Sequence, residues 1–234
     1  KEREIYINNF IKIITSLICN KTEIVVVDGS KSYNSSLEKI VSNNSNVILK
    51  YIHNKNDTGL DKAYDDAVKH STGKYCWLAT DDDEPEKFFF KLVEKTLLEN
   101  KDLFILNTTI KCYDLVETLQ ENRLGIFSDI DIIHEQKNRI ENRLLQQLSY
   151  IACIIILRSH WIKNSSDKYY GSYFSHISNI FNTETKLKIK VISRPLISIR
   201  IDNQSWKNNH LRIFHHFWPS MVNLVKNKFI NLNY

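Results

Sequence analysis

Three consecutive aspartates, Asp81, Asp82 and Asp83, are the residues of this sequence whose spacing most clearly suggests chemistry. Carboxylates so close together repel one another unless a positive charge lies among them. A divalent cation such as Mg²⁺ or Mn²⁺ prefers oxygen ligands of this kind and binds substrate phosphates as well. The alternative is a solvated acidic turn that caps a helix beginning near Glu86. The triplet alone leaves both interpretations open.

The segments around the triplet predict strands that alternate with helices. Short apolar runs predict strands at residues 23–27, 47–51, 74–79 and 103–109. Helical periodicity predicts helices at residues 4–19, 37–42, 61–70 and 86–99. This alternation is typical of βαβ units, so we expect an α/β fold with a Rossmann-like, mainly parallel sheet flanked by helices.

The second half of the chain is less regular. A polar, helix-prone stretch at 131–148 precedes a buried strand at 150–157, and strand-like pieces occupy 188–201. We predict a first half at 1–110, a smaller mixed half at 111–205 and a helical tail at 206–234.

Two acidic loops are expected on one rim of this sheet. Asp28 follows the strand at 23–27, and the aspartate triplet follows the strand at 74–79. Ligands of open α/β sheets bind outside the carboxyl ends of the strands. The sequence therefore predicts a binding site at this rim.

Composition excludes several classes of protein. The 234 residues are 42% hydrophobic and 25% charged, as in a globular domain, and the net charge is only +5. The four dispersed cysteines favour a reducing compartment and, with the scattered histidines, do not support zinc. A Gly-rich phosphate loop is missing, which argues against ATPases and Rossmann dehydrogenases. A basic stripe with interleaved aromatics is missing too, so nucleic acid is not an expected partner.

Three segments together resemble glycosyltransferase family 2, which has the GT-A fold. They are EIVVVDGS at 23–30, NKNDTGLDKAYDDA at 54–67 and TGKYCWLATDDDE at 72–84. The order and spacing match over about 60 residues, counted from these segments. Stretches at 75–83, 170–176 and 200–206 are further similar to bacterial abequosyltransferase-type enzymes, which act in O-antigen assembly and lipopolysaccharide biosynthesis.

The resemblance implies roles for particular residues. Asp81 and Asp83 would bind the metal, Mn²⁺ or Mg²⁺. The residues implied in donor binding are Asp28, Ser30, Gly59, Asp61, Lys62, Asp81 and Asp82. The partners implied are a nucleoside-diphosphate sugar and a saccharide acceptor that is lipid-linked. The resemblance makes 1–110 the nucleotide-sugar-binding half and 111–205 the smaller mixed acceptor-binding half.

Two departures from the family pattern bear on these roles. The family's first strand is absent, because the chain opens in the helix that follows it, and we expect the printed sequence to lack its natural N-terminus. The Glu-Asp pair that supplies the family's general base is also absent, and His176 lies near its expected place. His176 could act as the base, as a metal ligand or as a core histidine.

Arg200, Asn203, Ser205 and Trp206 form a polar cluster that ends in an aromatic residue. Trp can stack on the apolar face of a sugar while Arg and Asn bind its hydroxyls, so we predict acceptor binding here. The alternative is a loop that anchors the second half. The aromatic and basic tail suits a membrane interface beside a lipid-linked acceptor, with a packed helix as its alternative.

The combined expectation is a metal-dependent glycosyltransferase, transferring a hexosyl or deoxyhexosyl group in the synthesis of a bacterial surface polysaccharide. It would be cytoplasmic, with peripheral contact at the inner face of the cytoplasmic membrane. Two alternatives use the same residues: a metal-dependent nucleotidyl- or phosphotransferase, and a non-catalytic binding module for nucleotide or nucleic acid.

Overall fold

The fold was analysed in a computed structural model, which describes residues 3–132, 141–201 and 209–230. The α-helices are α1 Glu4–Leu17, α2 Ser36–Val41, α3 Leu60–His70, α4 Phe89–Leu97, α5 Glu141–Leu148, α6 Arg158–Asn164, α7 Ser175–Phe181 and α8 Trp218–Ile230. The strands are β1 Thr22–Asp28, β2 Val47–His53, β3 Tyr75–Trp77, β4 Glu84–Pro85, β5 Leu103–Lys111, β6 Thr118–Gln120, β7 Ile130–Ile132, β8 Ile154–Leu157 and β9 Ile189–Arg200. Short 3₁₀ helices occur at Ile151–Cys153 and Asp167–Tyr169, and a π-helix at Arg212–Phe217.

The strands form two sheets. β1 and β2 pair in parallel, and the larger sheet has the order β3-β8-β5-β9-β4, with β6 beside β5 and β7 beside β9. The two longest ladders, β1–β2 and β5–β9, are parallel, whereas the shorter pairings are antiparallel. The expected α/β architecture with a parallel-rich sheet flanked by helices is confirmed.

One groove is lined by strands of both sheets. Within the described residues β1 pairs only with β2, and β3 pairs only with β8. The groove belongs to a cavity of about 1750 Å³ that is lined by the whole of β1 and by residues 74–83. Asp28 and the aspartate triplet therefore lie on one cavity, as the rim argument predicts.

Helix α1 holds the two sides of this groove together. Its apolar stripe buries Phe10, Ile11 and Ile14 against α2 and the inner face of β1. The ring of Phe10 also lies 6.0 Å from that of Trp77 on β3. Such a stripe is what the helical period of the sequence provides. Because α1 packs on both sheets, its N-terminus reaches the rim of the cavity.

The second half completes the core rather than forming a separate layer. β8 and β9, from the second half, pair with β3 and β4 from the first. The tail buries Ile213, Met221 and Val225 in the main core, which fits the packed-helix alternative. Among the described residues, no helix combines the length and apolar character needed to cross a bilayer.

Most predicted elements are present, with shifted ends. The strand predicted at 150–157 is shortened to β8, because its first residues turn into the 3₁₀ helix Ile151–Cys153. That turn exposes the carbonyl oxygen of Ala152, which accepts a hydrogen bond of 2.7 Å from Trp77 Nε1. The turn also lets the Tyr150 hydroxyl reach Asp83. Side-chain partners distant in the sequence thus override the local strand pattern.

Asp65 on α3 is a buried connector between the two halves. Its carboxylate is 1% exposed and accepts hydrogen bonds from Trp161 Nε1 at 2.9 Å and the Tyr170 hydroxyl at 2.5 Å. Lys69, one turn later, forms an ion pair with it at 2.6 Å. Removing this acceptor would leave polar groups from two other segments without a partner.

We predict that Asp65→Ala lowers the free energy of unfolding by about 3 kcal/mol, because buried donors lose their acceptor. Asp66→Ala is the matched control: Asp66 also pairs with a lysine one turn away, Lys62, but at the surface, so it should cost only about 0.5 kcal/mol. Urea unfolding of the three proteins measures both values. Equal losses in the two variants would contradict the connector role of Asp65.

Candidate active site

The loop after β3 carries Asp81 and Asp82 side by side at the mouth of the cavity. The guanidinium of Arg3 bonds both of them: Nε donates to Asp81 Oδ2 at 2.7 Å, and Nη2 lies 2.9 Å from Asp82 Oδ2 and also contacts Asp81. The two carboxylates remain 24% and 21% exposed. The positive charge that lies between these two aspartates is therefore the guanidinium of Arg3. The hydrogen bond that Arg3 donates to Asp81 is the largest of the effects that raise the pKa of Arg3.

Asp83 has a different environment from its two neighbours. It is 6% exposed, and its Oδ2 accepts from the hydroxyls of Thr80 and Tyr150, while Oδ1 accepts from the Arg200 amide at 2.8 Å. Burial, followed by the charge of Asp82, raises the pKa of Asp83 to about 6. Because protein donors already bond both oxygens, Asp83 suits a metal poorly. The structure instead offers Asp81 and Asp82 as the accessible pair.

Asp28, at the end of β1, is held in a rigid hydrogen-bond frame. Its Oδ1 accepts from the Ser30 amide at 2.8 Å, and its Oδ2 accepts from the hydroxyls of Ser30 and Tyr51 at 2.9 and 2.5 Å. Burial raises the pKa of Tyr51 to about 12, and the hydrogen bond to Asp28 is the second-largest cause. The phenol therefore stays protonated and continues to donate. Asp28 and Ser30 both line the cavity.

An aromatic wall beside Asp28 was not predicted from the sequence. The ring of Tyr33 lies 4.9 Å from Tyr51 and 5.8 Å from His53, and Tyr33 is 53% exposed. His53 Nε2 lies 2.8 Å from the Ser30 carbonyl oxygen, which assigns the proton to Nε2 as donor. The parallel register that pairs Asp28 with His53 brings this wall to the rim. In the sequence, the signal that could have indicated this aromatic wall was the end of the strand predicted at 47–51.

The residues predicted from the Gly-x-x-x-Ala segment divide into two groups. Gly59 lines the cavity and has a φ of 81°, a left-handed conformation that glycine adopts without strain. Asp61 is buried and accepts hydrogen bonds from the amides of Tyr173 and Ser175. Lys62 forms an ion pair with Asp66 at 2.6 Å. The structure therefore brings Gly59 to the site, whereas Asp61 and Lys62 are engaged elsewhere.

His176 lies in the core. It is 1% exposed, and its Nε2 lies 2.9 Å from the Leu148 carbonyl oxygen. Burial lowers its pKa to about 4, so the ring is neutral near pH 7. A base or metal ligand must reach substrate or solvent, and this ring reaches neither. The geometry fits the core alternative, and we give His176 no catalytic role.

Arg200 lies against the triplet rather than in an open acceptor pocket. Its Nε donates to the Asp82 carbonyl oxygen at 2.8 Å and its Nη1 to the Tyr113 carbonyl oxygen at 2.6 Å. Its guanidinium also stacks on the ring of Tyr6, at 5.5 Å. Arg200 thus shapes the loop of the triplet. The other predicted acceptor contacts, Asn203, Ser205 and Trp206, lie outside the described residues.

Comparison with known proteins identifies the class. The family model named Glycosyl transferase family 2 matches residues 3–162, more than half of the chain. The chain therefore belongs to glycosyl transferase family 2.

Individual relatives agree with this class. Abequosyltransferase RfbV of Salmonella typhimurium is 25% identical over 177 residues, which are 70% of this chain and 53% of the relative. Among solved structures, S. aureus TarS 1–349 in complex with UDP matches with a TM-score of 0.67 and 16% identity, covering 99% of this chain and 63% of that one. The complex of TarS 1–349 with UDP-GlcNAc matches with a TM-score of 0.63 and 18% identity, covering 86% of this chain and 56% of that one. The chain thus spans a little over half the length of these relatives, and TarS supports the GT-A fold.

Family 2 enzymes often use a divalent cation, and the rim fits one in part. Asp81 and Asp82 present partly exposed carboxylates that an arginine already neutralises. In the described ranges no group of three or more Asp, Glu, His or Cys side chains is arranged as a metal site. Two protein ligands with substrate phosphates are nevertheless a usual set for Mg²⁺.

We predict that Arg3→Gln lowers the melting temperature in the absence of metal by a few degrees, because Asp81 and Asp82 then repel without compensation. Titration with MnCl₂ should raise the melting temperature of the variant more than that of the unaltered protein, in which Mn²⁺ must displace the guanidinium. Arg3→Lys keeps the charge but loses the planar fork and should lie between them. Equal Mn²⁺ shifts in all three proteins would contradict this interpretation of Arg3.

We also predict a pH effect at Asp83, whose pKa is raised from 3.8 to about 6 on folding. As pH rises from about 4 to 6, the unfolded chain ionises first, so the folded protein loses up to about 3 kcal/mol of stability from this group. Asp83→Asn removes that loss and keeps an acceptor for the Arg200 amide. Its stability relative to the unaltered protein should therefore grow between pH 4 and 7 in urea unfolding. If the free energies of unfolding of Asp83→Asn and the unaltered protein changed in parallel with pH, the raised pKa of Asp83 would be disproved. Parallel curves are the expected result for the exposed control Asp131→Asn.

Proposed function

We propose that this protein is a glycosyltransferase that uses a nucleoside-diphosphate sugar, with the nucleoside at Asp28 and the diphosphate at Asp81 and Asp82. The observation that carries the proposal is the single cavity on which these carboxylates lie, at the carboxyl ends of β1 and β3. The matching TarS structures are complexes with UDP and with UDP-GlcNAc, which supports a nucleotide sugar here.

The residues near Asp28 suit the nucleoside end of the donor. Asp28 is only half-buried, unlike Asp83, and its donors from Ser30 and Tyr51 leave one lone-pair position of Oδ1 for an N–H or O–H group of a base or ribose. The half-exposed ring of Tyr33 provides an apolar surface beside it. A bound nucleoside would thereby be oriented with its phosphates toward the triplet.

Asp81 and Asp82 would hold a divalent cation in this proposal, Mn²⁺ or Mg²⁺. The cation supplies neutralisation of the charge that develops on the departing diphosphate. Arg3, released from the two carboxylates, would be a second positive group beside the same phosphates. Asp83 does not take part directly: through Tyr150, Thr80 and the Arg200 amide it fixes the backbone of the loop.

The finer assignments rest on the similarity to the abequosyltransferase. We propose a saccharide acceptor that is lipid-linked, and a role in the synthesis of a bacterial surface polysaccharide. The enzyme would act in the cytoplasm, with peripheral contact at the membrane through the outer side of the tail, where Leu211 is 72% exposed.

The test begins with thermal-shift measurements against UDP, GDP, CDP and dTDP, each with MnCl₂. One nucleotide should raise the melting temperature well above the others by mass action. Calorimetry with that nucleotide should then show that Asp81→Asn and Asp82→Asn weaken binding by at least about tenfold, which is 1.4 kcal/mol. Asp131→Asn, a partly exposed carboxylate on β7, is the matched control and should bind normally.

Turnover of the corresponding nucleotide sugars decides between the reaction classes. Release of free nucleoside diphosphate supports sugar transfer, whereas release of pyrophosphate or monophosphate would favour the nucleotidyl- or phosphotransferase. Unchanged nucleotide affinity in Asp81→Asn and Asp82→Asn would remove the triplet from the donor site. Salt-sensitive binding without turnover would instead point to a binding module.

A further inference from the structure

The turn at residues 170–175 is fastened to helix α3 by two buried aspartates one helical turn apart. Asp61 Oδ2 accepts from the Tyr173 amide at 2.9 Å, and Asp61 Oδ1 accepts from the Ser175 amide at 3.0 Å. Asp65 accepts from the Tyr170 hydroxyl at 2.5 Å. These bonds join segments that are more than 100 residues apart in the sequence. The turn is therefore positioned by the donor-binding half.

The backbone of this turn is strained at Tyr173. Its φ is 67°, in the left-handed region that residues other than glycine seldom adopt. A conformation of this kind costs about 1–2 kcal/mol and persists only where surrounding contacts enforce it. The bonds from Asp61 to the amides of Tyr173 and Ser175 are such contacts. Strain held in this way is concentrated at functional sites.

The strain has a consequence for side-chain direction. Phe174 is 3% exposed and packs on the ring of Trp218, with centroids 4.8 Å apart. Tyr173 is only half-buried and lines the cavity that also contains the triplet. Within the described residues its hydroxyl makes no hydrogen bond that would hold it to the protein. The turn thus presents an aromatic ring and an unused hydroxyl to the cavity.

The surroundings of Tyr173 suit a saccharide better than a diphosphate. Phe214 and Trp218 line the cavity together with Tyr173, and both pack on the ring of the neighbouring Phe174. Aromatic rings pack on the C–H face of a sugar, and a phenol can donate to or accept from its hydroxyls. A phosphate would need cations or amide donors instead.

We propose that Tyr173 contacts the acceptor saccharide, and that Asp61 is the positioning residue that holds Tyr173 in its left-handed conformation. This inference rests on the proposed function, since it assigns the acceptor end of the same cavity. It also gives Asp61 a role different from the donor contact that its sequence position implies.

The test measures two affinities separately. Nucleotide binding is measured by calorimetry with the best of UDP, GDP, CDP and dTDP plus MnCl₂. Acceptor binding is measured on that complex by ligand-observed NMR, with octyl glycosides of mannose, galactose, rhamnose and N-acetylglucosamine as probes. The tightest glycoside for the unaltered protein is then titrated into each variant, and its transfer rate with the nucleotide sugar gives KM and kcat.

Tyr173→Asn is the decisive variant, because asparagine tolerates the left-handed region while removing the ring and hydroxyl. It should weaken glycoside binding by about tenfold or more and leave nucleotide affinity within about twofold. Tyr173→Phe, which lacks only the hydroxyl, should lose about three- to fivefold. Asp61→Asn should raise the acceptor KM by about fivefold with the nucleotide affinity and kcat nearly unchanged.

Gly171→Ala is the matched control for strain in the turn. Its φ of 83° makes any side chain unfavourable, yet a Cβ there meets no atom within 4 Å. It should lower the melting temperature while keeping glycoside affinity within about twofold. A loss equal to that of Tyr173→Asn would overturn the direct contact, because backbone geometry alone would then explain both results.

The remaining outcomes are also decisive. Equal glycoside binding in Tyr173→Asn and the unaltered protein, or no glycoside binding to the unaltered protein, overturns the inference. Weakened nucleotide binding in Asp61→Asn would make Asp61 a donor residue after all. Failure of the unaltered protein to bind any of the nucleotides would instead overturn the proposed function. Should Asp61→Asn not fold, the Tyr173 variants still decide.

Discussion

The mutual repulsion of three adjacent carboxylates is the constraint around which this rim is built. At separations of a few ångströms and reduced dielectric, like charges cost several kcal/mol unless something offsets them. The structure resolves the conflict in two ways. Asp81 and Asp82 share the guanidinium of Arg3, while Asp83 is withdrawn from water, surrounded by donors and shifted toward its protonated form. The triplet therefore acts as two accessible charges and one buried anchor.

Helix α3 makes the second half dependent on the first. Its cavity side carries Ala63 and Tyr64, and the Tyr64 hydroxyl donates to the carbonyl oxygen of Ala79, two residues before the triplet. Its other side carries Asp61 and Asp65, which fasten the turn at 170–175. One helix thus contacts both the loop of the triplet and the turn at 170–175. A shift of α3 would move both together.

Local sequence patterns predicted the features that have local causes. β1, β2 and α3 follow from apolar periodicity, and the joint position of Asp28 and the triplet follows from the rule that ligands bind at the carboxyl ends of strands. The aromatic wall of Tyr33, Tyr51 and His53 could be deduced only once the β1–β2 register was known. Asp61 and His176 show the limit most clearly. Their partners, the amides of Tyr173 and Ser175 and the carbonyl of Leu148, are distant in the sequence, so residue type alone could not reveal that both side chains are buried.

The parallel register of β1 and β2 has a consequence for the surroundings of Asp28. Val26 pairs with Tyr51 and Asp28 pairs with His53, and the Tyr51 hydroxyl donates to the Asp28 carboxylate. Side chains alternate between the two faces of a strand, so a slip of one residue would carry Tyr51 to the opposite face. An insertion or deletion of a single residue inside either strand would therefore deprive Asp28 of its phenol donor.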